Sequence, residues 1–204
     1  MINAKQLLAL ALTLGFLGGL IGFYTAKSFI KPSKAEMIKD FYNVENAVQV
    51  SPYELRKAMD AGDGSFILVD VRTGEDYLKS HIIGAVNIPV YTEQDTSDDK
   101  AVSRIVGEFG KLPKDVDIIA YCYSSPCMAA RRVGQILADH GIYVKHLGIG
   151  WNEWRYAWNS WNTESDWNST KVEDYIANGG EPGAPTVLKG APIPSACGQG
   201  QFGC

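Results

Sequence analysis

Two short runs of uninterrupted apolar residues constrain this chain most: Phe66-Ile67-Leu68-Val69, and Ile118-Ile119-Ala120-Tyr121, which runs directly into Cys122. A strand with one face in water alternates apolar and polar side chains, whereas a strand covered on both faces does not. Both runs therefore predict strands buried between layers. The segments around them carry helix signals. Ser51-Pro52-Tyr53-Glu54 supplies an N-cap, a proline at the first helical position and the glutamate of a capping box, which opens a helix through Ala61. From Met128 to His140, Ala129, Ala130, Val133, Ile136 and Leu137 share one face, and Gly141 is the stop. Strand and helix signals alternating over 44–160 predict an α/β domain.

The rest of the chain is read as appendages to that domain. From Gln6 to Ala26 there are 21 consecutive uncharged residues. A helix of that length, at ~1.5 Å per residue, spans a hydrocarbon core of ~30 Å. Residues 1–26 are thus expected to be a single transmembrane anchor held in lipid, the run being longer than the apolar core of a cleaved signal peptide. Gly15/Gly19 and Gly18/Gly22 form small-xxx-small pairs, which suit the close approach of a membrane-protein partner. Lys27, Lys31 and Lys34 favour a cytoplasmic domain, while the short N-terminus and the paired cysteines favour an oxidising compartment; the expectation taken is an extracytoplasmic domain.

Residues 27–43 read as a polar connector, and 161–204 as a tail in which 179–204 carry seven Gly and four Pro. Cys197 and Cys204 in that tail are candidates for a disulfide. Trp151, Trp154, Trp158 and Trp161 recur at helical spacing, which predicts a packing stripe on one short helix. With a net charge of −4 the chain offers no basic field to concentrate a phosphate backbone, so nucleic acid is not an expected partner.

Chemistry is expected at Cys122. It ends a buried strand and precedes a short loop, Tyr123-Ser124-Ser125-Pro126-Cys127, and then a helix. Backbone N–H groups and a helix N-terminus converging there lower a thiol pKa, and the crevice outside strand ends is where open α/β sheets tend to bind ligands.

Several separate segments, in order and at matching spacing, resemble the rhodanese-homology family over 44–158. They are Asp70-Val71-Arg72 with Glu75 and Tyr77; His81-Ile82-Ile83-Gly84-Ala85-Val86-Asn87-Ile88-Pro89; Tyr121-Cys122 with Ala129-Ala130; and Leu147-Gly148-Ile149-Gly150-Trp151. The resemblance implies a central parallel sheet flanked by helices. It also implies a sulfurtransferase in which Cys122 accepts sulfane sulfur as a persulfide from a donor and passes it to a thiol acceptor. Loop amides would stabilise the anionic outer sulfur as an oxyanion hole stabilises charge. Tyr123, Ser124, Ser125 and Met128 are then expected to contact substrate. Asp70 and Arg72 match the family signature and are expected as an ion pair or at the pocket rim, and His81 as a buried histidine bonded to backbone.

Two departures from the family pattern matter. The family's thiosulfate-using members commonly carry an Arg or Lys five residues after the cysteine, and here that position is Cys127. A second thiol there could attack a Cys122 persulfide and leave a disulfide, provided the two Cα atoms lie within ~7 Å. The missing loop cation equally suits a catalytically silent module that joins a membrane complex. The cysteine spacings are unlike C-x2-C, so no metal or other cofactor is expected.

Overall fold

The computed structural model describes residues 3–29 and 31–188, with backbone alone at 7, 21 and 23–29. Cys197 and Cys204, with the disulfide expected between them, lie outside the described residues. The chain divides into two units, Met1–Val44 and Glu45–Cys204.

Helix α1 runs Ala4–Phe29 and helix α2 Lys34–Val48. The expected transmembrane span is not recovered: among the described residues no helix is long and apolar enough to cross a membrane. Side chains of the predicted run at 7, 21 and 23–26 lie outside those residues. The expected polar connector is helical from Lys34. Ser33 and Glu36 close a capping box there: Glu36 N donates to Ser33 Oγ at 3.2 Å and Ser33 N to Glu36 Oε2 at 2.7 Å. No side chain of α2 is buried.

The second unit is built on five strands: β1 (Gln49–Val50), β2 (Phe66–Asp70), β4 (Val86–Asn87), β5 (Asp117–Tyr121) and β6 (Lys145–Leu147). They form one sheet in the order β1-β6-β5-β2-β4, every pairing parallel. The helices between them are α3 (Pro52–Ala61), α4 (Gly74–Lys79), α5 (Asp98–Phe109) and α6 (Ala129–Asp139). Ser51 Oγ caps α3 as expected, accepting from Glu54 N; the structure ends the helix at Gly62, φ 68°, a conformation that favours glycine.

Strands β2 and β5 pair residue for residue, Phe66 with Asp117 through Asp70 with Tyr121. Their alternation divides the core. Leu68, Ile119 and Tyr121 face a layer with Leu55, Met59, Trp151 and Trp154, while Val69, Ala120 and Cys122 face Ile105, Phe109, Ala130, Val133 and Leu137. Because the two strands end level, the loops after Asp70 and Tyr121 leave the same sheet edge side by side, tied by Val71 N donating to Tyr121 O at 3.0 Å.

The tryptophan stripe lies in the core, on two short helices rather than one: α7 (Trp151–Tyr156) and α8 (Trp158–Trp161), broken at Ala157. Trp154, Trp158 and Trp161 stack or meet edge to face, with ring centroids 4.7–5.6 Å apart. The expected loose tail is laid against the domain as far as it is described. Strand β7 (Ile176–Ala177) pairs antiparallel with β3 (His81–Ile82). Tyr175 hydroxyl donates to Asp60, a carboxylate that also holds the buried Arg56, and Arg56 in turn binds Asp166. Leu188 N donates to Asp60 O at 2.7 Å.

Candidate active site

Cys122 follows β5 directly, and its backbone is clamped before its side chain is considered. The first amides of α7 point at the loop: Trp151 N donates to Cys122 O at 2.9 Å and Asn152 N to Tyr123 O at 2.8 Å. That approach requires a residue without a side chain at Gly150, where a Cβ would lie 2.2 Å from Ser124 N and 2.5 Å from Tyr123 C. Glycine here serves closeness rather than torsion, since its φ of −111° suits any residue.

The sulfur of Cys122 is bonded to that of Cys127, with the Cα atoms 6.2 Å apart. The separation meets the geometric requirement for the pair to exchange between dithiol and disulfide without unfolding the sheet end. Cys122 is 4% exposed, Tyr123 is 37% exposed and Met128, at the mouth of α6, is 51% exposed. The loop between them is thus reachable, while its first sulfur is covered.

Two of the loop amides expected to converge on the Cys122 sulfur are engaged elsewhere in this oxidised state. Ser125 N donates to both carboxylate oxygens of Glu153, at 3.2 Å each, and Cys127 N donates to Ser124 O at 2.9 Å. Glu153 Oε2 also accepts from Gly150 N at 3.0 Å. On the other side of the loop, Arg131 Nη1 donates to the carbonyls of Ser125, at 3.1 Å, and Cys127, at 3.2 Å. A cation therefore does reach the loop, from the first turn of α6, but it is engaged by carbonyl oxygens. Arg132 is exposed.

Asp70 and Arg72 form a buried ion pair, and Arg72 also lines a cleft beside the loop. Asp70 is 0% and Arg72 3% exposed. Arg72 Nη2 donates to Asp70 Oδ2 at 2.6 Å and to Ser80 O at 2.8 Å, and its guanidinium lies 4.7 Å from the Trp151 ring centroid. Tyr121 hydroxyl donates to the same Asp70 oxygen at 2.6 Å and accepts from Ile82 N at 3.1 Å. Burial, with Asp70 adding to it, pushes that hydroxyl well above the usual tyrosine range. This network locks the ends of β2 and β5 under the loop. His81 is buried as expected, bonded through Nδ1 to Tyr77 O at 2.9 Å and stacked on the Tyr77 ring.

Tyr123 reaches away from the disulfide, its hydroxyl donating to Asp76 Oδ2 at 2.5 Å. That bond holds the Asp76 carboxyl below its ordinary range. Arg72, Asp76, Lys79, Trp151 and Arg155 line a polar cleft of about 370 Å³ on this side of the loop. A larger groove of about 440 Å³ runs between α6 and β6 past Gly134 and His146 and contains no residue of the 122–127 loop. Chemically, the oxidised pair is an electrophile for a thiol. The reduced pair supplies a thiol at a strand end and a second one within bonding reach.

Sequence reasoning missed Glu153 and the loop contact of Arg131. Glu153 stands at the third position of α7, where a capping glutamate is common, so its bond to Gly150 N was legible. Its bond to Ser125, 28 residues away, was not.

The Rhodanese-like domain profile matches residues 51–157, just over half the chain. An HTH-type transcriptional regulator of Mycobacterium tuberculosis is 36% identical over 104 residues, which cover 51% of this chain and 40% of that protein. This chain thus matches less than half the length of that relative. A crystal structure of a Bacillus halodurans protein is 26% identical and superposes over 61% of this chain and 82% of its own with a TM-score of 0.48. A rhodanese with anions from E. coli is 24% identical over 42% of this chain and 86% of its own, with a TM-score of 0.30.

Proposed function

Because this chain belongs to the rhodanese-like domain family, we propose that it is a sulfurtransferase, anchored by its N-terminal apolar segment, in which Cys122 takes up sulfane sulfur and Cys127 is the resolving thiol. The observation that carries this reading is the Cys122–Cys127 bond at a Cα separation of 6.2 Å, at the end of β5. In the reduced protein the Cys122 thiolate attacks the outer sulfur of a hydropersulfide. A new S–S bond forms, the donor's S–S bond breaks, and the donor thiolate leaves with the electron pair. The Cys122 persulfide then passes its outer sulfur to an external thiol. Alternatively, Cys127 thiolate attacks Cys122 Sγ, expels hydrosulfide and closes the disulfide seen here, which an external dithiol reopens with two electrons.

Membrane attachment rests on the uncharged run Gln6–Ala26, and an extracytoplasmic domain is the reading taken with it. Thiol labelling of intact cells with a membrane-impermeant reagent tests the side. Labelling only after lysis contradicts the placement.

The reaction is tested by mass spectrometry of reduced protein exposed to polysulfide. A one-sulfur adduct should accumulate on Cys122 in Cys127→Ser, convert to the disulfide in wild type, and be absent in Cys122→Ser. Unmodified Cys127→Ser protein would refute the reading. A second reading, a catalytically silent interaction module, is favoured by the covered Cys122 and the occupied Ser125 amide. It expects partner association that survives Cys122→Ala and no adduct under any condition.

A further inference from the structure

Glu153 puts a carboxylate against the backbone of the loop that carries both sulfurs. Its two oxygens accept from Ser125 N, and one also accepts from Gly150 N. The facing cation, Arg131, is engaged by the Ser125 and Cys127 carbonyls. The backbone of Ser125 is therefore held at its N–H by an anion and at its C=O by a cation. In the disulfide state the six residues Cys122 to Cys127 contribute no charge of their own. A donor approaching the loop meets a fixed carboxylate with one amide already taken, and a guanidinium whose N–H groups are turned to the loop carbonyls.

Resting on the function proposed above, we propose that Glu153 is a specificity-determining residue which directs the site to sulfane sulfur on neutral or singly charged carriers, the small-molecule hydropersulfides, and against dianionic donors such as thiosulfate. Each added negative charge on the donor is opposed by the same carboxylate in a partly buried setting, where screening is weaker than in water. The two reactions differ in charge and not in the bond made. With a hydropersulfide, Cys122 thiolate takes the outer sulfur and a thiolate leaves. With thiosulfate, it takes the same kind of sulfur and sulfite leaves with the electron pair. A glutamate serving only to cap α7 would affect both alike.

The test measures kcat/KM on the reduced full-length protein for thiosulfate and for the hydropersulfide of a neutral thiol, in wild type, Glu153→Gln and Asp99→Asn. Gln keeps the size and one acceptor oxygen. Asp99 is an exposed carboxylate at the start of α5 and controls for net charge. Glu153→Gln should raise the thiosulfate-to-hydropersulfide ratio about tenfold or more, and Asp99→Asn should leave it unchanged. In wild type the thiosulfate rate should rise with salt as like charges are screened, while the hydropersulfide rate stays flat, a readout that needs no variant to fold. A ratio within about twofold of wild type, a parallel fall for both donors, or a thiosulfate rate that drops with salt overturns the inference alone. A wild type that takes sulfur from neither donor overturns the proposed function and this inference with it.

Discussion

Gly150→Ala should loosen the site from outside the loop. The added Cβ would sit 2.2 Å from Ser124 N, 2.4 Å from Ser124 Cα and 2.5 Å from Tyr123 C, all backbone atoms that cannot swing aside as a side-chain end would. Relief requires α7 to move off the loop, lengthening the Trp151 N to Cys122 O and Asn152 N to Tyr123 O bonds. Overpacking in a tight interior costs roughly 1 to 3 kcal/mol. Losing two hydrogen bonds adds about 1 kcal/mol each, for a sum of about 3 to 5 kcal/mol. No torsional penalty is added, because φ at this position is −111°.

Urea unfolding of the oxidised protein measures the loss. Gly64→Ala serves as control, since nothing lies within 4 Å of the Cβ it would carry. The disulfide should also become easier to reduce, because the carbonyl held by α7 belongs to Cys122 itself. A loss below about 1 kcal/mol with an unchanged denaturant slope would refute the clamp argument.

Three further outcomes are expected. Tyr121→Phe leaves the Ile82 N–H without its side-chain acceptor in the core and takes a donor from Asp70, costing about 1 to 3 kcal/mol in thermal or urea unfolding; a cost near zero would mean water fills the gap. Arg72→Met strips the buried Asp70 carboxylate of its fork and should cost about 3 to 5 kcal/mol at neutral pH, while a neutral effect in unfolding would contradict the ion-pair assignment. The Asp95 carboxyl is held down to about 2 by its bonds to Arg104. Its folded pKa being depressed, its contribution is complete above the unfolded value of ~4 and is lost as pH falls through about 2. Asp95→Asn should therefore flatten the acid limb of a stability–pH curve between those values, and an unaltered limb would refute the pairing.

What the sequence made legible was local. The runs ending at Val69 and Tyr121 suited strands covered on both sides, and Ser51 opens α3 by chemistry within its first turn. Strands β1, β3, β4 and β7 hold two residues each, too few to show a period. Helix α2 carries Met37, Phe41 and Val44 at helical spacing but leaves them exposed, and its start is marked by the Ser33–Glu36 pair. The tail from 161 looked unstructured because what holds it is remote: Asp60 and Arg56 in α3, more than a hundred residues away from Tyr175 and Asp166. At the site, the position of Cys122 at a strand end followed from the sequence, whereas its reach to Cys127 was left to the Cα separation, which is 6.2 Å. The direction of the loop amides did not, since it depends on how α7 turns Glu153 back onto Ser125.

The most direct test of the account is a single-turnover reaction of reduced wild-type protein with a hydropersulfide, counting hydrosulfide released against thiols lost. Transfer to Cys122 followed by resolution through Cys127 predicts one hydrosulfide per chain together with loss of that thiol pair, and a peptide map that joins the two cysteines. Hydrosulfide release that persists in Cys122→Ser, or a reduced wild type that loses no thiol, would contradict it.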